Sequence, residues 1–176
     1  MLAARADQRV LGYLGRALSL ELSAVQMYTT QARLVGAWGL AEAAEHLRNE
    51  AQEEMGHADR IIERMLAIGV APSASQLRPV RLGRDLAELL EVNREFELEL
   101  VQLYTDATRH SARVGDHDHR MFFERLLGEE QTHYDELTEW LARLQNSVPA
   151  DVPETAVSPR TRREPLTTQR RFRSVR

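Results

Sequence analysis

Apolar residues recur every three to four positions along two long proline-free stretches of this chain, 1–71 and 80–148. That period belongs to amphipathic helices, and β-branched runs that would mark strands are scarce. It predicts four helices, at about 7–35, 39–68, 84–114 and 117–145. Gly36 and Gly39 mark the first turn and Gly115 the last.

The middle connection, Gly69–Gly83, is long and contains Pro72 and Pro79. A helix of about 30 residues is ~45 Å long at ~1.5 Å per residue. Fifteen extended residues reach ~50 Å. The connection can therefore run the whole length of a bundle and start the third helix at the end where the second began. Two antiparallel hairpins joined by one long crossover form the ferritin-like version of a four-helix bundle. The expected fold is thus all-α, with a bundle over 1–145 and a Pro/Arg-rich tail over 146–176.

The two hairpins resemble each other. LELSAVQMYTT at 20–30 parallels FELELVQLYTD at 96–106, and EEMGHAD at 53–59 parallels EEQTHYD at 129–135. The interval from Glu21 to Glu54 equals that from Glu97 to Glu130, 33 residues in each case. Such a duplication predicts a pseudo-two-fold bundle whose equivalent residues meet across its axis.

Each helix has an inward stripe that carries chemistry. The stripes read Leu14, Leu18, Glu21, Val25, Tyr28; then Leu47, Glu50, Glu54, His57, Ile61, Met65. The second hairpin gives Leu86, Leu90, Asn93, Glu97, Leu100, Tyr104; then Leu126, Glu130, His133, Leu137, Leu141. A carboxylate interrupts every apolar stripe near mid-helix, and on the second and fourth helices a His follows three residues later. Four carboxylates in one core layer are unstable alone, because burial and mutual repulsion both oppose ionisation. Two divalent cations would balance four Glu and leave both His neutral. One Glu from each of two helices plus Glu-x-x-His from each of the others is the di-iron or di-manganese carboxylate pattern. Carboxylate and imidazole donors favour Fe or Mn, although Zn also binds such sets.

Tyr28 and Tyr104 each lie seven residues beyond their Glu on the same stripe. They can hydrogen-bond a ligand carboxylate, lend an electron to an oxidation, or simply pack in the core. Glu50 and Glu53 precede the Glu54/His57 pair by one turn and either relay a cation or form a solvated acidic face. His46, His110, His117 and His119 stand outside this layer, with His117 and His119 in the polar run GDHDH, where solvent-exposed loop positions are expected.

Composition narrows the chemistry. The chain has no Cys, which removes disulfides, thiolate metal sites and cysteine nucleophiles. All 23 basic residues are Arg, so there is no Schiff-base or P-loop lysine. The net charge of −4 averages two unlike parts. Residues 146–176 hold seven Arg against three acids, and residues 1–145 hold 16 Arg against 24 acids. An acidic body attracts cations and is poorly suited to nucleic acid. No run approaches the ~20 apolar residues of a membrane span, and MLAARADQRVLGYLG has no signal-peptide pattern. A cytoplasmic protein is the expectation.

The segments LSLELSAVQMY, EEMGHADRIIERMLAIGVAP and GEEQTHYDELTEWL resemble the bacterioferritins over roughly residues 7–145. The resemblance implies a ferroxidase centre at Glu21, Glu54, His57, Glu97, Glu130 and His133, holding two Fe per subunit. It implies that Fe(II) is oxidised there by O2 or H2O2, with the ferric product stored as mineral in a twenty-four-subunit shell built from two-fold dimers. Met55 occupies the motif position where bacterioferritins place the axial ligand of haem b shared between two subunits; an ordinary interface Met is the alternative. Asn49 and Gln31 depart from the family, which often has His at both places. The tail departs further: family members end in a short fifth helix, whereas four prolines and weak periodicity over 146–176 predict an extended or disordered segment. The shell then closes differently, stops at the dimer, or co-assembles with a sister chain. A rubrerythrin-like peroxidase or another di-metal oxidase on the same six residues is the competing activity, and a haem-holding subunit is the non-enzymatic one.

Overall fold

In a computed structural model describing residues 7–72 and 76–147, four helices account for most of the described residues. They are α1 (Gln8–Ala37), α2 (Ala41–Ala67), α3 (Leu86–Arg113) and α4 (His117–Ser147). The tail beyond residue 147, for which an extended or disordered segment was expected, lies outside the described residues.

Each boundary has a local cause. Asp7 caps α1 by accepting from the Arg9 and Val10 amides at 2.9 and 3.3 Å. Asp85 caps α3 through the Glu88 amide at 2.9 Å, while Glu88 reaches back to the Arg84 amide at 2.8 Å, close to a capping box. Asp116 opens α4 by accepting from the His119 amide at 3.1 Å. The first and last turns rest on Gly39 and Gly115, at φ +82° and +75°. The amides that follow them, of Leu40 and Asp116, return to the carbonyls of Val35 and Ser111. That is the Schellman ending, which needs a left-handed residue and therefore favours glycine. Gly36, by contrast, sits inside α1 rather than in the turn.

The helices pair as α1 with α2 and α3 with α4, with α1 also packed against α3. The crossover joins α2 to α3, and its described residues 76–85 lie along α1. The Arg78 amide donates to Ser23 at 3.0 Å and Gln31 donates to the Arg81 carbonyl at 3.0 Å. The strap thus advances beside α1 in the same direction, and α3 starts at the end where α2 began. Arg78 and Arg81 fasten it to Glu99 and Glu95 of α3. Gly83 is buried where a Cβ would stand 2.4 Å from the Leu89 amide nitrogen, so strap and helix touch backbone to backbone.

The core follows the expected stripes, with two adjustments. Val25 and Leu86 are only half-buried, and Ala24, Met27 and Leu89 take the interior places. Leu14, Leu47, Leu90, Leu100, Leu126 and Ile61 are buried above and below a central polar layer.

Candidate metal centre

Apolar packing on both sides of mid-bundle brings six polar side chains into one layer. Glu21, Glu54, Glu97 and Glu130 are wholly buried, and His57 and His133 nearly so. They form two four-residue groups: Glu21, Glu54, His57 and Glu130; and Glu54, Glu97, Glu130 and His133. In each group, one donor atom per residue lies within 4.8 Å of the others. Glu54 and Glu130 belong to both groups and can bridge two cations, while Glu21 and Glu97 stand at the two ends.

The distances repeat the symmetry. His57 Nδ1 lies 3.3 Å from Glu54 Oε2 and 2.7 Å from Glu130 Oε1. His133 Nδ1 lies 3.2 Å from Glu54 Oε1 and 3.6 Å from Glu130 Oε2. Each bridging carboxylate therefore turns one oxygen to each imidazole. The two rings are stacked with centroids 5.7 Å apart and 8° between planes.

The donor atoms facing inward have only one another for partners. Both oxygens of Glu54 and Glu130, Oε2 of Glu21 and Glu97, and Nδ1 of both His are buried and have no hydrogen-bond partner outside the layer. Buried polar atoms left so in such number require an explanation, and eight oxygen and nitrogen donors around two points fit a pair of divalent cations.

The outer atoms are satisfied. Tyr28 Oη donates to Glu97 Oε1, and Tyr104 Oη donates to Glu21 Oε1, each across the two hairpins. These bonds orient the terminal carboxylates and leave one oxygen of each free for a cation. His57 Nε2 lies 3.2 Å from Glu129 Oε2, and His133 Nε2 lies 3.2 Å from Glu53 Oε2. A carboxylate on Nε2 favours the tautomer whose Nδ1 lone pair faces the cation. Arg60 in turn holds Glu129, with its second contact at 3.0 Å. Sequence reasoning overlooked Glu129. Its signal is the Glu-Glu doublet, which opens both EEMGHAD and EEQTHYD.

Without a cation, protons take over the balancing. Burial pulls His57 and His133 down, but the carboxylates around them, Glu130 foremost, outweigh it and push His133 up to about 12 and His57 higher. Burial, then repulsion from neighbouring carboxylates, raises Glu21 and Glu97 well above the usual range. Glu54 is held below it because both imidazoles overcome its burial.

The layer reaches the surface through a cleft of about 650 Å³ between α2 and α4, lined by His46, Asn49, Glu50, Glu53, Glu129 and His133 among others. Asn49 is exposed on its wall, whereas Gln31 is buried and engaged with the crossover. Met55, beside Glu54 in sequence, is 48% exposed and turned away from the centre. His119 is not an exposed loop residue: it lies buried in the first turn of α4, 2.8 Å from Asp116 and against Phe123. His110 is likewise buried, 2.8 Å from Asp7.

The ferritin-like domain family matches residues 11–147. A bacterioferritin from Rhodobacter capsulatus is 39% identical over 131 residues, covering 74% of this chain and 81% of that protein. One from Brucella melitensis is 31% identical over 160 residues, covering 85% and 99% respectively. A solved structure of Rhodobacter capsulatus bacterioferritin, described as having a metal-free dinuclear site and a haem iron in a crystallographic special position, aligns with a TM-score of 0.76 at 35% identity. That alignment covers 85% of this chain and 99% of the other. With a domain match over most of its length and relatives of this identity aligned over so much of theirs, the chain belongs to the bacterioferritin family, and its bundle is ferritin-like.

Proposed function

We propose that this chain is a ferroxidase that takes Fe(II) as substrate at the six-residue centre, passes its electrons to O2 or H2O2, and stores the ferric product. The observation that carries this reading is the set of eight inward donors with no partner outside the layer, among them two carboxylates shared by both four-residue groups. Each Fe(II) yields one electron, so a pair held on shared carboxylates can supply two to one oxidant without a diffusing radical.

The chain's own groups set the conditions for that step. Glu54 and Glu130 hold the two positions at a fixed separation, Glu21 and Glu97 cap them, and apolar layers above and below keep bulk water to the cleft side. Glu129 and Glu53 keep the imidazoles in the donor tautomer. Tyr28 and Tyr104 carry a proton against the terminal carboxylates within the buried layer.

The remaining features belong to the assembly. The exposed Met55 would offer a thioether ligand to a haem b shared with a second copy of the chain. Among the described residues no helix is long and apolar enough to cross a membrane, in keeping with a cytoplasmic storage particle.

The decisive experiment loads metal-free protein with Fe(II) under anaerobic conditions, admits oxygen, and measures iron retained per chain together with particle mass. Uptake far beyond two Fe per chain in a large particle supports storage. Uptake that stops at two or three overturns it.

A further inference from the structure

We infer that His46, Glu50 and Glu136 form a third divalent-cation site, outside the dinuclear centre and connected to it through Glu50. His46 and Glu50 lie one turn apart on α2, and Glu136 faces them from α4. One donor atom from each lies within 4.8 Å of the other two. Donors bound to one first-row cation at ~2.1 Å are at most about 4.2 Å apart, so side-chain rotations of a few tenths of an ångström close the set.

Glu50 is the reason to read this as a site rather than an exposed acidic patch. Its side chain is 7% exposed, and among the described residues its ion-pair partners are two imidazoles, His46 and His133, neither closer than 3.4 Å. One oxygen lies 3.4 Å from His46 Nε2. The other has no hydrogen bond and lies 3.8 Å from His133 Nδ1. A buried carboxylate left in that condition is costly unless a cation joins it. The His46 ring is braced edge-on against Trp140, with centroids 4.8 Å apart, which turns Nε2 toward Glu50. Two carboxylates and one neutral imidazole balance a dication, and this donor set suits Fe(II), Co(II), Mn(II) or Zn(II).

All three residues line the same cleft as His57 and His133. A cation on the three-residue site therefore stands in the entrance, and Glu50 can pass it inward by exchanging one oxygen contact for the other. The assignment of Glu50 as a link rests on the dinuclear reading; the three-residue site does not.

The test is anaerobic Co(II) binding to the metal-free full chain, with cobalt counted after equilibrium dialysis and located by anomalous scattering. Three Co(II) per chain are expected, one of them between His46, Glu50 and Glu136. The His46→Ala/Glu136→Gln double variant should fall to two, with unchanged helicity and the two central peaks retained. Two Co(II) in the parent chain, or three in the double variant, overturns the third site. Loss of the central pair would instead overturn the dinuclear reading, so the two failures are distinguishable. Glu136→Gln alone, at an exposed position, serves if the double variant does not fold.

Discussion

Glu54 and Glu130 each offer both oxygens inward, which makes them the least replaceable members of the centre. Glu54→Gln removes one bridging charge while preserving shape, and rapid Fe(II) oxidation followed by absorbance should disappear. Oxidation at the parent rate would reject the assignment. Tyr28→Phe leaves Glu97 Oε1 without its donor, and an unsatisfied buried acceptor costs about 1–3 kcal/mol; calorimetry should show weaker binding of one of the two central Co(II). Glu129→Ala frees His57 Nε2, and loss of such an outer partner typically weakens metal affinity about 10–100-fold. Protonation gives a further prediction. With His57 and His133 both raised, the metal-free layer holds two imidazolium protons at pH 7. Loading two cations must expel at least those two, measurable in a pH-stat, and apparent affinity should fall as pH falls.

Helix ends in this molecule are set by short-range chemistry, so their contributions can be measured singly. Asp116 both caps α4 and pairs with His119 Nδ1 at 2.8 Å. Burial raises Asp116, but its bonds to His119 more than offset this and hold it below the usual carboxylate range. A carboxylate lowered on folding stabilises the fold above its unfolded pKa and loses that stabilisation as pH falls through its folded value. Asp116→Ala should therefore lower stability by about 1 kcal/mol near pH 7 and by progressively less in acid. Denaturant midpoints at several pH values measure both. The crossover shows a different division of labour: its length was legible as the span of a bundle, but its seat on Ser23 and Gln31 was not, because those contacts join residues 55 and 50 positions apart.

For the molecule as a whole, the polar layer is a defect in the metal-free core that cations repair. Removing metal should lower the melting temperature, and readdition of Co(II) should restore it by mass action on the folded state. Haem tests the face that leaves the molecule: Met55→Leu should abolish the reduced-minus-oxidised haem band while leaving Co(II) binding as in the parent chain. An undiminished band would remove Met55 as the axial ligand.

The chain alone determined the four helices, the crossover and the six residues of the central layer. Each was written in local period or in matched spacing: a 3.6-residue stripe, a proline-bearing gap of bundle length, and two hairpins repeating Glu at equal intervals. Such patterns survive in sequence because a helix converts spacing directly into a face. Tertiary structure decided which carboxylates face both imidazoles, that Glu53 serves His133 and Glu129 serves His57, and that Tyr28 and Tyr104 reach the opposite hairpin. It also buried His119 and joined His46 to Glu136. These are pairings between helices, and they depend on rotation and axial offset after packing, which no repeat within one helix encodes.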